Sequence, residues 1–382
     1  MTKIKTNRNN TNNVPPLRFP EFSGEWKGHK LRNVCKLLSG GTPALDISCY
    51  WNGNIPFISA AAMHKPYIID SEQYLSEEGL VHGSKLLKQG NLLLLVRGSM
   101  LWKRVPVCYN KVDVAFNQDV KGIIPNNITD SSFLLYWFLS QENRIKYMVT
   151  GTGIGAGKLD MEDLLSMKIL IPPQDEQRKV VSLLQLIDNR IATQNKIIEK
   201  LETLIKALSH KLTTQQRPNT RLKDCLTHHS STLLENDVKG IGQYPVYGAT
   251  GICGYMDKYE ISGDSILIIK DGASVGSTAY ATGRYSTIGT LNYLRTTQEC
   301  YLLPYIYYSL KAFDFRPYIT GMAIPHIYFK DYSKAKIWCP AVAEQKRIAT
   351  TLRTMGTKLQ IEHKILRNLI LQKQYLLSNL FI

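Results

Sequence analysis

Three stretches of this 382-residue chain hold residue types that could do chemistry. Residues 151–158 read GTGIGAGK, which looks like a phosphate loop, where backbone N–H groups of a glycine-rich turn cradle a phosphate and a lysine reaches it. The spacing fails the requirement. The glycine that should open the motif is Thr152, and the Ser or Thr that should follow Lys158 is Leu159. A dinucleotide fingerprint fails as well, because Gly151 and Gly153 are followed by Ala156 and no βαβ unit surrounds them. The stretch reads instead as a flexible loop leading into a helix. Glu344-Gln345-Lys346 has the E-x-K spacing of nuclease sites. It sits where a helix begins, however, and an acidic residue there complements the helix dipole. His228-His229 reads as an exposed loop, and the seven cysteines form no C-x-x-C pair or Cys/His cluster. They are expected to be reduced, mostly buried thiols. No N-P-P-Y or D-P-P-Y run of an amino-methyltransferase occurs. The chain is expected to carry no catalytic residue, no metal and no cofactor of its own.

Bulk composition narrows the class of partner. Lysine and arginine number 47 against 31 aspartates and glutamates, a formal charge of +16. Such an excess favours a polyanionic partner, because cationic side chains displace the counterions condensed on nucleic acid. The apolar runs Leu92–Val96 and Phe133–Leu139 are too short to span a bilayer. Residues 1–25, opening MTKIKTNRNNTNN, contain no apolar signal-peptide core and are expected to be a disordered tail. A cytoplasmic protein without a membrane role is the expectation.

The elements that must position any site are legible in a repeat. Glu176-Gln177-Arg178-Lys179 is answered by Glu344-Gln345-Lys346-Arg347, 168 residues later. The same offset carries Lys168 onto Lys336, Pro172 onto Pro340, Leu184 onto Leu352 and Leu212 onto Leu380. Each copy continues as an apolar series spaced alternately by four and three. The first runs through Val180, Leu184, Ile187, Ile191, Gln194, Ile198, Leu201, Ile205, Leu208 and Leu212; the second through Ile348, Leu352, Met355, Leu359, Glu362, Leu366, Leu369, Lys373, Leu376 and Leu380. That is the a/d pattern of a coiled coil. A lone exposed helix of this length is marginal, so the two are expected to pack on each other antiparallel, with Val180 beside Leu380. Both seams break at an equivalent place, Gln194 and Glu362, as a polar layer that fixes register at a cost in stability.

Between the helices lie two segments rich in glycine, aromatic and β-branched residues. Each has a strand-like run ending in a basic residue and then glycine, NLLLLVRGS at 91–99 and DSILIIKDGAS at 264–274. Each continues with a short aromatic helix, SSFLLYWFLSQEN and LLPYIYYSLKAF, and then a glycine-containing loop, TGTGIGAGKL and TGMAIPHIYF. The order of elements matches while the residues hardly do. The fold class is therefore α+β: globular modules at 26–171 and 216–339, alternating with spacer helices at 172–215 and 340–382. Repeated helices suit identical partners; diverged modules suit the reading of two different targets.

With SGGTP at 39–43, VRGS at 96–99, FNQDV at 116–120, YPVYGATGICGY at 244–255 and IPPQDEQRKV at 171–180, this layout resembles the specificity (S) subunit of type I restriction-modification systems, the HsdS family. The resemblance spans essentially everything after residue 16. It implies that each module is a target-recognition domain reading one half of a bipartite double-stranded DNA sequence, and that the paired helices set the gap and dock two methyltransferase (M) subunits. It further implies AdoMet in M for adenine N6 methylation, and ATP and Mg in the restriction and translocation (R) subunits. A self-sufficient restriction or methylation enzyme and a coiled-coil adaptor that binds no DNA are the alternatives from other classes. Candidate DNA contacts are Arg97, Ser99, Lys103, Arg104 and Lys158 in the first module, and Lys270, Ser274, Arg284, Asn292 and His326 in the second. Arg and Lys can read guanine O6/N7 and Asn can read adenine, although most such residues touch phosphate.

Overall fold

Leu92–Leu95 form a strand in which all four side chains are buried, which accounts for a continuous apolar run where a half-exposed strand would alternate. In the computed structural model of the chain, which describes the backbone of residues 5–6 and residues 13–151, 155–238 and 240–382, this strand is the centre of a five-stranded sheet. The order is Cys35–Ser39, Val120–Pro125, Leu92–Leu95, Val107–Asn110 and Tyr67–Ile68. The chain divides into two compact units, Met1–Thr193 with Leu366–Ile382, and Gln194–Ile365. The division cuts both long helices, Gln174–Thr213 and Val342–Leu380, and does not fall at their ends.

In the first unit a four-stranded sheet accompanies the central one, in the order Tyr74–Leu75, Ile55–Ile58, Val114–Phe116, Leu86–Leu87. The expected aromatic helix is Ser131–Ser140. Asp130 caps it by accepting from the N–H groups of Ser132 and Phe133, and its side chains from Phe133 to Phe138 are all buried. Trp26, Phe133 and Phe381 meet here, with ring centroids 6.1 Å and 5.2 Å apart for the successive pairs. The beginning of the first long helix and the end of the second share this core through Val180, Leu184, Ile187, Leu376 and Leu380.

The segment before Trp26 departs from the expected disorder. Leu17 and Phe19 are buried in the same core, and the Trp26 N–H donates to the Asn13 carbonyl over 2.8 Å. Two apolar anchors outweigh the polar composition that flanks them. The other part of that expectation, residues 1–4 and 7–12, lies outside the described residues.

The second unit repeats the plan with its own side chains. Leu226–Ser230, Leu291–Thr296, Ser265–Ile269 and Thr278–Ala281 make one sheet; Gly251–Met256, Tyr244–Gly248, Arg284–Thr287 and Ile261–Ser262 make the other. The aromatic helix is Leu303–Ala312. Equivalence is concrete where each module meets its helix: Lys168 pairs with Lys30 across one two-stranded ribbon, and Lys336 with Arg221 across the other. The lysines are again 168 residues apart.

The helices are antiparallel within each unit. In the first, Asp188 pairs with Lys373 at 2.5 Å while Val180 and Leu184 share a core with Leu376 and Leu380. In the second, Gln194 meets Glu362 while Leu208 and Leu212 pack with Ile348 and Leu352. Every seam residue named above is buried or half-buried, from Leu184, Ile187, Ile191 and Ile198 to Leu201, and from Leu352, Met355 and Leu359 to Leu366 and Leu369. The polar layer is closer than the seam alone suggests. Gln194 Nε2 donates to Glu362 Oε2 over 2.6 Å and to the Glu362 carbonyl over 3.1 Å. Replacing Gln194 alone by Leu should lower stability, since the Glu362 carboxylate then faces apolar surface without its donor. Replacing both by Leu should raise the melting midpoint, by about 1 kcal/mol of stability, while loosening register. A fall in midpoint for the double variant, measured by thermal unfolding, refutes this.

Candidate nucleic-acid interface

The first unit presents its basic residues where the central strand ends. After Leu95 the chain continues into Arg97–Gly98, which pairs antiparallel with Gly157–Leu159, and that strand pairs in turn with Val149–Gly151. Arg97 lies opposite Lys158, and Gly98 opposite Gly157. Both glycines are required. Gly98 has φ +146°, and a Cβ on Gly157 would approach Val149 Cγ1 to 2.8 Å. Residues 155–158 thus belong to a strand and its approach, in contrast to the flexible loop expected there; Thr152 to Ile154 lie outside the described residues. A 3-10 turn, Ser99–Trp102, follows the glycine. Arg97, Ser99, Lys103 and Lys158 are exposed together with Trp102, whose indole donates to the Gly155 carbonyl over 3.0 Å. Arg104 turns inward and donates to the Met63 carbonyl over 2.8 Å, so it clasps the neighbouring loop and does not join the exposed set.

The corresponding point of the second unit is differently charged. Ser265–Ile269 ends at Lys270, and Asp271 bridges to His326 as Arg97 does to Lys158, again at an offset of 168 for the second partner. Gly272, with φ +105°, repeats the turn at Gly98. Where the first unit places Arg and Lys, the second places Asp and His. Lys270 is half-buried and Ser274 exposed beside this turn. His326 is held by Ile324, whose carbonyl lies 3.1 Å from Nδ1, and packs against Tyr328 at 5.0 Å.

Two expected contacts are not gathered here. Asn292 is 5% exposed and accepts from Ser230 Oγ over 2.7 Å, so its amide serves the sheet and is not free to read adenine. Arg284 begins its strand, whereas the Lys270 turn lies beyond the far end of that strand, where the Lys270 N–H meets the Thr290 carbonyl. Its guanidinium sits 5.1 Å over Tyr259, in an aromatic group with Tyr244. Exposure of a basic residue in a sequence is no guide to which end of a strand it occupies.

Sequence reasoning missed the glutamine of the repeat. Gln177 donates to the carbonyls of Pro172 and Ile128, each at 3.0 Å, and accepts from the Asp130 N–H at 3.0 Å. Gln345 donates to Pro340 and Cys300 at 2.8 Å and 3.0 Å and accepts from the Leu302 N–H at 2.8 Å. Each amide therefore ties the start of a long helix to the start of the aromatic helix in its own unit. Its signal was present as one of the two letters, Glu and Gln, kept at the same place in both copies of the motif.

Among the described residues no group of three or more His, Cys, Asp or Glu is arranged to hold a metal ion, and no helix is long and apolar enough to cross a membrane. Cys35, Cys108 and Cys225 are buried, and burial pushes their thiols up to about 11, 12 and 12, which opposes thiolate chemistry.

Two modules of like strand order, each joined to a long helix, define a two-unit α+β architecture. It is shared with the S subunit of a type I restriction-modification system from M. genitalium, at TM-score 0.64 and 18% identity over 97% of this chain and 99% of that one. A chain from a structure describing complex assembly and conformational transition of the type I R-M system matches at TM-score 0.57 and 15% identity, over 94% and 98%. The profile of the family described as Type I restriction modification DNA specificity domain matches residues 23–203 and 219–370, and the chain belongs to that family. A curated relative, the EcoR124I/EcoR124II specificity subunit of Escherichia coli, is 33% identical over 174 residues, 45% of this chain and 43% of that protein. The MjaIX specificity subunit of Methanocaldococcus jannaschii is 27% identical over 187 residues, 46% and 42%. These alignments span less than half the length of the curated relatives.

Proposed function

We propose that this chain is the non-catalytic, DNA-reading subunit of a type I restriction-modification complex. Each module reads one half of a bipartite duplex target, and the helices set the gap and dock two methyltransferase subunits. AdoMet belongs in this reading to the methyltransferases, and ATP with Mg to the restriction subunits. The observation that carries it is the pair of equivalent strand ends, each turned by a positive-φ glycine, that carry Arg97 and Lys158 in one unit and Asp271 and His326 in the other. One backbone frame with two side-chain sets is what the reading of two unlike half-sites requires. The net charge of +16 supports a duplex partner.

Docking is supported by apolar residues on the outer faces of the helices. Ile197 and Leu204 are 38% and 48% exposed, and Ile361 and Ile365 are 54% and 40% exposed. Spacings of seven and four put each pair on one helix side. Removing residues 342–382 is an unsuitable test, because Ile348, Leu352, Leu376 and Leu380 belong to the cores of the units. The test is a map of N6-methyladenine in host DNA with the wild-type chain, without it, and with Ile197→Asp combined with Leu204→Asp. A bipartite methylated motif is expected only with the wild-type chain, and the double variant should lose it at an unchanged melting midpoint. Methylation of the same motif without the chain refutes the reading.

A further inference from the structure

The function of one motif is left open by this reading. FNQDV at 116–120 directly precedes and enters the strand Val120–Pro125, and its Asp119 lies behind Arg97. The Asp119 backbone is fixed at both ends. Its carbonyl accepts from the N–H groups of Val96 and Arg97 at 2.8 Å and 3.3 Å, and its N–H donates to Asn117 Oδ1 at 3.1 Å. Its carboxylate Oδ1 is out of contact with solvent and has no hydrogen-bond partner among the described residues. Arg97 Nε stands 3.7 Å from it, the one cation in ion-pair range of this oxygen among the described residues. A buried carboxylate oxygen in that condition is costly, and the guanidinium relieves the cost by keeping its Nε side turned toward it. The Arg97 side chain is nonetheless 54% exposed, and its terminal nitrogens make no hydrogen bond to a described residue.

Such an arrangement suits a base edge better than a phosphate. Attraction to phosphate needs free charge and tolerates mobility, as at Lys103 and Lys158, which have no acidic partner among the described residues. A guanidinium partly neutralised from behind is a weaker counterion. The ion pair nevertheless draws its Nε side toward Asp119 and leaves the two terminal nitrogens facing outward, the pair that two parallel hydrogen bonds to guanine O6 and N7 demand.

We infer that Arg97 reads a guanine in the half-site of the first module and that Asp119 is its positioning residue. The inference rests on the proposed DNA-reading function. It also predicts an asymmetry, since the equivalent of Arg97 in the second unit is Asp271, which cannot donate to guanine O6 or N7.

The test uses the full chain purified with its methyltransferase subunits, and duplexes in which each guanine of the mapped motif is replaced in turn by 7-deazaguanine, which lacks the N7 acceptor. For the wild-type chain, one replacement in the first half-site should weaken binding by about 10-fold or more. Arg97→Ala should bind unmodified DNA more weakly and be indifferent to that replacement. Asp119→Asn, nearly the same shape, should lose most of the discrimination at that position while keeping its melting midpoint and the salt dependence of binding. Two outcomes overturn the inference. In one, Arg97→Ala weakens all duplexes equally and lowers the salt slope by about one, the behaviour of a phosphate contact. In the other, Asp119→Asn discriminates as the wild type does. Failure of the underlying DNA reading is distinguishable, because the wild-type complex would then show no motif at all.

Discussion

Glu176→Ala is expected to destabilise the first unit by about 3–5 kcal/mol, whereas Glu344→Ala, the same substitution at the repeat-equivalent position, should leave the midpoint of unfolding nearly unchanged. Glu176 is 1% exposed in its side chain. Arg18 donates to it through Nε and Nη2, each at 2.7 Å, and the Trp26 indole donates over 3.2 Å. Arg18 also reaches the carbonyls of Ser23 and Gly24, so the whole segment before Trp26 is gathered around one carboxylate. Removing the carboxylate leaves a guanidinium and an indole N–H in a site closed to water, and the uncompensated charge dominates the cost. At Glu344 the only ion-pair partner among the described residues is Arg347, three residues on, with 61% of its side chain exposed. Water replaces that interaction at little expense. Urea unfolding of the two variants decides the matter: equal losses would falsify the assignment of Glu176 as the anchor of residues 13–26. Substituting Arg18→Met together with Glu176→Leu should recover part of the loss, because it removes both buried charges.

Insertion of one heptad into each long helix, beside Gln194 and beside Glu362, should lengthen the DNA gap and leave both half-sites as they were. Seven residues add about 10 Å to a helix, which is about three base pairs at 3.4 Å per step. A heptad preserves the seam phase, so Leu184, Ile187, Leu352 and the Gln194 layer keep their facing partners. Inserting four residues into each helix instead rotates the following part of the seam away from its partner, and should abolish methylation. Mapping methylated adenines for the three chains reads the gap directly. An unchanged gap in the heptad variant removes the role of the helices as a ruler.

Comparison of the two repeat copies shows how far letters carry. Identical spacing made the helices, their antiparallel seam and the break at Gln194 and Glu362 legible, because a/d periodicity is a local property of the chain. The same letters did not reveal that Gln177 and Gln345 do equal work while Glu176 and Glu344 do not. The glutamines bond carbonyls supplied by each module's own helix entrance. Glu176 depends on Arg18 and Trp26, which stand 158 and 150 residues away.

The candidate interface divides in the same manner. The exposure of Arg97 and Ser99 was legible because a buried strand followed by a basic residue and glycine must end at a surface turn, whereas the pairing that sets Lys158 opposite Arg97 was not. Arg104 and Asn292 were not, since whether a polar side chain meets solvent or a nearby carbonyl depends on residues such as Met63 and Ser230, far off in sequence. Arg284 lies apart from the Lys270 turn for a topological reason: strand direction decides which end of a module a residue occupies.

The sequence by itself determined the alternation of modules and helices, the helix seam, the basic balance and the positions of the glycine-turned strand ends, all consequences of composition and short-range periodicity. Only the tertiary structure decided that Leu17, Arg18 and Phe19 are packed, that Glu176 is buried while Glu344 is not, and that Asp119 stands behind Arg97. Those are pairings between distant segments, and their energies come from burial and from partners that no local pattern specifies.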